Sequence, residues 1–323
     1  MQLHTINTGF FKLDGGAMFG VVPKRMWSKI QPADANNLCT WAMRCLLIQE
    51  GGKLILVDNG IGNKQDAKFL GHYELHGEDS LDKSLAALGF HRDDITDVLL
   101  THLHFDHCGG SIIREGERLV PAFRHATYWS HSRHWAWATE PNDREKASFL
   151  KENILPIQAS GQLRFVDERM PVAAAMATTG GAGDVGDVGG AGAARAAGSA
   201  GAGVPDRMTR LQTISDTIIP GLSMRLAEGH TAAMMLPQLS YKGKTLVFVA
   251  DLLPSTGHFP LPYIMAYDMF PLTTLIEKRS FLQEAAEGGY VLFFEHDPIH
   301  ECCIPQSSEK GIRAGQGFRL ADL

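Results

Sequence analysis

Residues 101–110, THLHFDHCGG, follow the apolar run ITDVLL and gather four potential metal ligands where a buried strand is predicted to end: His102, His104, Asp106 and His107. Imidazole nitrogen and carboxylate oxygen are donors that zinc takes in catalytic sites, which leave one coordination position for water. A solvated polar loop would also explain this run of polar residues. The two interpretations differ in whether the rest of the chain supplies the missing ligands.

The spacing of these residues predicts two neighbouring metal positions. His102 and His104 stand two apart, so extended backbone points both side chains to one side. Asp106 and His107 are consecutive, and extended backbone would point them to opposite sides. A turn after Phe105 would direct both toward a second point nearby. Each position would still lack ligands.

Three polar residues at the ends of other predicted strands complete the set. His230 follows the strand LSMRLA, Asp251 follows the strand that ends in FVA, and His296 follows FFE. Polar side chains at such strand ends point into the mouth between elements, where ligands commonly bind. We assign the first metal to His102, His104 and His230, the second to Asp106, His107 and His296, and a bridging role to Asp251.

Two similar hairpins are predicted on either side of the ligand motif. Residues 45–57, CLLIQEGGKLILV, predict two apolar strands joined by a Gly-Gly turn, and residues 235–250 repeat this design with a Lys-Gly turn. Helices are predicted over 80–88, with Ser80 as the N-cap, and over 271–287. Hairpins of duplicated design with intervening helices favour stacked sheets covered by helices.

A segment rich in alanine and glycine interrupts this plan between Pro171 and Pro205. It has almost no large apolar side chains, so burial cannot offset the entropy lost on ordering it. We interpret residues 172–204 as a flexible surface insert within a single domain spanning residues 1–323. A boundary between two domains is less consistent with ligands on both sides of the segment.

The composition excludes several classes of function. The chain has 323 residues, of which 44% are hydrophobic, so it can bury a sizeable core, and its net charge of −6 argues against nucleic-acid binding. No apolar run approaches the ~20 residues of a membrane span, and the N-terminus lacks a signal-peptide pattern. Five cysteines without regular spacing predict reduced thiols and a cytoplasmic protein. We therefore expect a small-molecule substrate and no nucleic-acid or membrane partner, with a homodimer as the candidate assembly.

The ligand pattern resembles a known family. THLHFDH is similar to the HxHxDH signature of the metallo-β-lactamase superfamily, and the later ligands follow in the order found in its dinuclear hydrolases. Further stretches resemble YtnP-like quorum-quenching lactonases: DGGAMFGVVPK (14–24), LVDNGIGN (56–63), ADLLP (250–254) and MAYDMFP (265–271). The resemblance implies an α/β fold, an αββα sandwich of two mixed sheets flanked by helices, with the dinuclear site at one edge of the sheets.

Two positions depart from relatives in this superfamily. Many carry a second histidine four residues after the equivalent of His230, where this chain has Met234. Some acyl-homoserine lactonases carry a tyrosine three residues after the bridging aspartate, where it helps to bind the substrate carbonyl. This chain has Pro254 there, so another group or the metal alone must polarise that carbonyl.

The ligand set predicts a hydrolytic mechanism. Two Zn²⁺ per chain, with Co, Mn or Fe as alternative metals, can share a bridging hydroxide that attacks a carbonyl carbon. We assign Asp106 as a ligand and as the catalytic proton shuttle to the leaving alkoxide. Asp58, which closes the strand before NGIGN, is a candidate acceptor that orients a ligand histidine, or else a simple turn residue.

Two further residues are candidates for substrate binding. Phe19 in GGAMFG could form a wall of the pocket, with a core aromatic as the alternative. His258 follows the bridging aspartate closely and could hydrogen-bond the substrate, with a surface-loop histidine as the alternative. Both assignments depend on where loops near the metals place these side chains.

Four functions compete for this site. The first is a lactonase that opens N-acyl-homoserine lactones or similar signalling lactones. The second is an organophosphate triesterase, similar to methyl parathion hydrolase, or another esterase of the same fold. A di-iron oxidoreductase would need an electron-transfer partner, and the chain contains no flavodoxin-like segment. A non-catalytic metal module conflicts with seven ligands, which are too few to saturate two metals.

Overall fold

The computed structural model describes residues 1–167, 211–215 and 218–323; the predicted insert at residues 172–204 lies outside them. The strands are β1 Gln2–Asp14, β2 Leu38–Glu50, β3 Lys53–Val57, β4 Asp97–Leu99, β5 Ile112–Glu115, β6 Arg118–Pro121, β7 Thr127–Ser130, β8 Leu163–Phe165, β9 Gln212–Ser215, β10 Ser223–Ala227, β11 Met234–Tyr241, β12 Lys244–Phe248, β13 Val291–Phe293, β14 Cys302–Cys303, β15 Gln306–Ser308 and β16 Gly311–Arg313. The helices are α1 Gly15–Phe19, α2 Lys24–Trp27, α3 Ala67–Gly71, α4 Leu81–Ala87, α5 Phe105–Cys108, α6 Ser132–Thr139, α7 Lys151–Ala159 and α8 Pro271–Glu287.

Two six-stranded mixed sheets form the centre of the molecule. Their strand orders are β1-β2-β3-β4-β7-β8 and β14-β13-β12-β11-β10-β9. Each contains a hairpin whose second strand pairs in parallel with the next element: β2-β3 followed by β4 in the first sheet, and β11-β12 followed by β13 in the second. This matches the predicted pair of similar hairpin units.

Local sequence explains the predicted hairpins and helices. Gly51 and Gly52 form the first hairpin turn with φ of 58° and 80°, which glycine adopts without steric strain. Lys242 and Gly243 form the second, with φ of 50° and 75°. The Ser80 hydroxyl accepts a hydrogen bond from the Lys83 backbone N–H and caps α4. These elements confirm the predicted hairpins and helix α4, and α8 has the predicted bounds of 271–287.

Apolar side chains fill the layers between the elements. The facing sides of the two sheets form one fully buried cluster that includes Leu46, Val57, Leu246, Phe248 and Phe293. Helices α4 and α7 bury Leu85 and Ile157 against the outer face of the first sheet. On the second sheet, Arg225 of β10 pairs with Glu284 of α8 at 2.7 Å. The predicted sandwich of two sheets between helical layers is therefore confirmed.

The carboxyl ends of several central strands meet at one edge of this sandwich. Asp58 follows β3, and the ligand motif follows β4, which is parallel to it. His296 follows β13, and the short 3-10 helix Ala250–Leu252 follows β12, the parallel neighbour of β13. Asp251 therefore lies in a 3-10 turn rather than at the end of the strand as predicted. Within the described ranges, no helix is long and apolar enough to span a membrane.

Candidate metal centre

Three histidines and one aspartate converge on a first buried position. His104 Nδ1 lies 3.1 Å from His102 Nε2 and 3.1 Å from His230 Nε2. Asp251 Oδ2 lies 3.1 Å from His230 Nε2 and 3.9 Å from His102 Nε2. The structure thus brings together the three histidines that the sequence assigns to the first metal.

The outer ring nitrogens of these histidines are held by other groups. His104 Nε2 lies 2.9 Å from Glu145 Oε1, and His230 Nδ1 lies 2.9 Å from Asp268 Oδ1. Because a carboxylate only accepts hydrogen bonds, each of these outer nitrogens carries the proton. The inner nitrogens, His104 Nδ1 and His230 Nε2, therefore present lone pairs to the centre of the cluster.

The same reasoning applies to His102. The Thr101 hydroxyl donates to Asp58 Oδ2 at 2.6 Å, so its oxygen can accept from His102 Nδ1 at 3.1 Å. His102 Nε2 then also presents a lone pair. The lone pair of His104 Nδ1 thus lies 3.1 Å from the nitrogens of two others, and such lone pairs repel unless a cation lies between them. This donor set fits a metal ion such as zinc, which binds neutral imidazole nitrogen.

A second position lies on the other side of Asp251. His107 Nε2 and His296 Nε2 are 3.2 Å apart, and Asp106 Oδ2 lies 3.8 Å from each of them. Asp251 Oδ1, which has no hydrogen-bond donor, is 3.1 Å from His296 Nε2. The Ala42 carbonyl accepts from His296 Nδ1 at 2.8 Å. Asp251 Oδ2 also lies 3.7 Å from His107 Nε2, so Asp251 contacts histidines of both positions, as a bridging ligand would.

His107 is held by two buried carboxylates. Its Nδ1 lies 3.1 Å from Asp58 Oδ2 and 2.9 Å from Glu295 Oε2, and all three side chains are fully buried. Asp58 also accepts from the Thr101 backbone N–H at 2.8 Å. Asp58 thus touches a ligand histidine, as the sequence interpretation proposed, and links it to the start of the ligand motif.

The carboxylates create a negative potential at the cluster. Burial alone would lower the pKa of His230, but Asp251 and Asp268 outweigh it and raise that pKa to about 10. Against the same effect of burial, Asp251 and Glu295 raise the pKa of His296 to about 9. The surroundings of His230 and His296 thus favour a cation, whereas burial lowers the pKa of His102 and His104 and keeps these imidazoles neutral, the form that binds a metal.

A cavity of about 380 Å³ opens onto both positions. Its apolar wall includes Leu13, Met18, Phe105, Met265 and Met269, and its polar wall includes Tyr73, Arg144, Glu145 and Tyr267 together with His104, Asp106, His230, Asp251 and His296. Side chains of both metal positions therefore contact the same space. A substrate in this cavity would lie against both of them.

The structure places Phe19 and His258, the two candidates for substrate binding, behind the cavity wall rather than in its lining. Phe19 is fully buried and stacks on the His258 ring with centroids 4.7 Å apart, and neither residue lines the cavity. The two ring nitrogens of His258 bond to Ser255 Oγ at 2.8 Å and to the Met18 carbonyl at 2.9 Å. Both residues instead support the cavity wall from behind, through Met18.

Sequence reasoning missed Glu145, Asp268 and Glu295 as partners of ligand histidines. Although burial raises the pKa of Glu145, its hydrogen bond with His104 lowers that pKa to about 2. Asp268 stands in MAYDMFP, a stretch noted only for its resemblance to lactonases. Glu295 could have been identified from the sequence, because an acidic residue between an apolar strand and a ligand histidine is unusual.

The fold and this cluster define a class of protein. Residues 44–296 match the Metallo-beta-lactamase superfamily, so the chain belongs to that superfamily. Together with the buried His/Asp cluster, this makes it a metal-dependent hydrolase. None of the curated proteins compared with the chain matches it.

Solved structures with the same fold include hydrolases of related types. A probable metal-dependent hydrolase from Staphylococcus aureus is 25% identical, with a TM-score of 0.76 over 98% of this chain and 96% of that one. AidC, a dizinc quorum-quenching lactonase in complex with a product, is 19% identical, with a TM-score of 0.69 over 98% and 95% of the two chains. The hydrolase AbOPH of the beta lactamase superfamily is 19% identical, with a TM-score of 0.67 over 98% and 95%.

Proposed function

We propose that this protein is a dinuclear-metal lactonase that opens N-acyl-homoserine lactones or similar signalling lactones. The observation that supports the proposal is the cavity, in which an apolar wall lies beside two ligand clusters that Asp251 contacts. The lactonase AidC, which is described as dizinc, shares the fold. Zinc is accordingly the metal that we propose, bound through the seven assigned residues.

The chain's own residues would divide the work as follows. His102, His104 and His230 would hold the first metal ion, His107, His296 and Asp106 the second, and Asp251 would bridge them. When bound, such a pair of ions activates water as the nucleophile and polarises the scissile carbonyl. Asp106 lines the cavity, and its carboxylate would take up the proton released by the attacking water and pass it to the leaving alkoxide of the opened ring.

The substrate carbonyl has more donors available than the sequence suggested. Pro254 cannot donate a hydrogen bond, but Tyr73 and Tyr267 both line the cavity. Burial raises the pKa of Tyr73 to about 12, so its hydroxyl stays protonated at neutral pH and can donate to a substrate oxygen. Polarisation of the carbonyl would thus come from the metal, with help from a cavity tyrosine.

The apolar wall predicts how rate depends on the acyl chain. Met18, Met265 and Met269 are flexible and polarisable, so they adapt to tails of different shape. Each methylene buried against them contributes about 0.8 kcal/mol. We expect kcat/KM to rise with chain length until the cavity is full.

Steady-state kinetics on short- and long-chain homoserine lactones and on a paraoxon-type triester would test the proposal. Metal-free protein reconstituted with zinc, cobalt or manganese provides the matched set, and the metal-free form is the control. We expect lactone hydrolysis to exceed triester hydrolysis and to vary with the metal. Far higher efficiency on the triester would instead identify a phosphotriesterase, since the same nucleophile can attack phosphorus. A cytoplasmic location and a homodimer stay predictions.

A further inference from the structure

Carboxylates stand behind three of the histidines in the cluster, but only one of those carboxylates also forms part of the cavity. Asp268 lies behind His230, Asp58 and Glu295 lie behind His107, and none of these three lines the cavity. Glu145 lies behind His104 and contributes to the cavity wall. Among these carboxylates, Glu145 therefore both lines the cavity and contacts the outer nitrogen of a ligand histidine.

Both oxygens of Glu145 are fixed by hydrogen bonds. Oε1 accepts from His104 Nε2 at 2.9 Å, and Oε2 accepts from Trp137 Nε1 of α6 at 2.6 Å. The Glu145 backbone N–H donates to Asn142 Oδ1 at 3.1 Å, and the residue is only 2% exposed. The carboxylate therefore has one orientation, which directs Oε1 at the His104 ring.

The segment that carries Glu145 is hydrogen-bonded to another part of the cavity wall. Arg144 donates from Nη2 to the carbonyl of Ala266, which lies between cavity residues of the 265–269 loop. Trp137 also lies near Phe270, with ring centroids 6.3 Å apart. Anchors on both sides thus hold the position of Glu145, as precise ligand orientation requires.

We propose that Glu145 is a positioning residue that sets the metal affinity of the first position. By accepting from Nε2, it keeps the proton of His104 on the outer nitrogen and leaves the Nδ1 lone pair directed at the metal. A carboxylate partner also makes that lone pair more basic. The inference rests on the proposed function, because it requires His104 to be a metal ligand.

Zinc titration of metal-free protein in competition with a chromophoric chelator gives the direct readout, because it resolves two binding steps without using activity. The step abolished by His104→Ala identifies the first position. Glu145→Ala should weaken that step about 10–100-fold, the usual effect of losing such a partner. Glu145→Gln keeps one oxygen acceptor and the side-chain volume but loses the charge and the acceptor for Trp137 Nε1, so it should rescue only part of this loss.

Two control variants separate this role from a general loss of charge or of structure. Glu140→Gln removes the same charge from an exposed residue of the same segment and should leave both steps unchanged. His296→Ala, which removes a ligand of the second position alone, should abolish the other step instead. If Glu145→Ala does not fold, Trp137→Phe, which removes the second anchor of the carboxylate, should weaken the first step by a smaller factor.

The outcomes distinguish this inference from the proposed function. Wild-type protein that binds two zinc ions, with a first step unchanged in both Glu145→Ala and Trp137→Phe, would overturn the positioning role alone. Equal weakening of both steps in Glu145→Ala would also overturn it, because a general structural loss explains that result. Wild-type protein without two binding steps would instead overturn the proposed dinuclear function.

Discussion

The two metal positions are built from different parts of the fold. Around the second, the outer partners of the histidines come from the sheets: Asp58 directly after β3, Glu295 just after β13 and Ala42 within β2. Around the first, Thr101 just after β4 contacts His102, but the partners of the other two histidines, Glu145 and Asp268, come from loops that also carry walls of the cavity. The second position is therefore fixed by the core, whereas the first depends on loop packing and is easier to perturb.

Asp251→Ala should weaken metal binding at both positions, because Asp251 contacts a histidine of each one. We expect loss of both metal ions and a fall in kcat/KM of about 10³-fold or more, since bound metals supply several kcal/mol of transition-state stabilisation. Metal content and lactone kinetics measure the two effects. Retention of one tightly bound ion would show that the aspartate does not bridge.

His107→Ala should weaken metal binding at the second position and not at the first, since it removes a ligand from the second position alone. We expect about one metal ion per chain and a smaller loss of rate than in Asp251→Ala. The corresponding variant of the first position, His230→Ala, provides the matched control. Loss of both ions in His107→Ala would mean that the second position is required to form the first.

The free energy of unfolding should depend on pH through His134, which contacts the ligand motif of the first position. His134 Nε2 accepts from the Leu103 N–H at 2.8 Å, between two ligand histidines, and its Nδ1 bonds to the Ala232 carbonyl at 2.7 Å. Burial lowers the pKa of His134 to about 3. As pH falls below the unfolded value of ~6.5, the unfolded chain takes up a proton that the folded one refuses, so stability decreases.

Comparison with His134→Gln isolates this effect from other titrating groups. We expect the wild-type advantage in the free energy of unfolding to narrow by about 1–2 kcal/mol between pH 6.5 and pH 5. Denaturant unfolding of both metal-free proteins at these two pH values measures it. A constant difference would show that His134 is not kept neutral by the fold.

The smallest effect is expected from shortening the segment that separates the two groups of ligands in the sequence. Joining Val172 to Pro205 by a short linker should leave the thermal midpoint nearly unchanged, because the entropy of loop closure changes by only about 0.6 kcal/mol per doubling of length. Differential scanning calorimetry with metal analysis would check this. A large fall in the midpoint at normal metal content would show that residues 172–204 pack against the domain.

Local signals predicted the framework well. The glycine-containing turns after Glu50 and Tyr241 fixed both hairpins, and apolar runs placed the ligands near strand ends. The exact end of β12 could not be predicted, because the chain leaves that strand at Phe248 through Ala250, whose φ is 39°. Such a conformation in a non-glycine residue depends on surrounding packing rather than on local propensity.

The sequence could not predict contacts between loop residues and ligands that are distant from each other in the chain. Glu145 reaches His104 from 41 positions away, and Asp268 reaches His230 from 38 positions away, so no local pattern marks either carboxylate as a partner. The positions of Phe19 and His258 behind the cavity wall could not be predicted for the same reason. Their closeness to conspicuous motifs gave no information about the direction of their side chains.

Metal analysis of purified, fully active protein tests the central claim, that Asp251 joins two metal positions in one hydrolytic site, most directly. Mass-spectrometric quantification after zinc loading and removal of excess metal should give two ions per chain, with lactonase activity lost on chelation and restored by zinc. Full lactonase activity at a single ion per chain would contradict the dinuclear account.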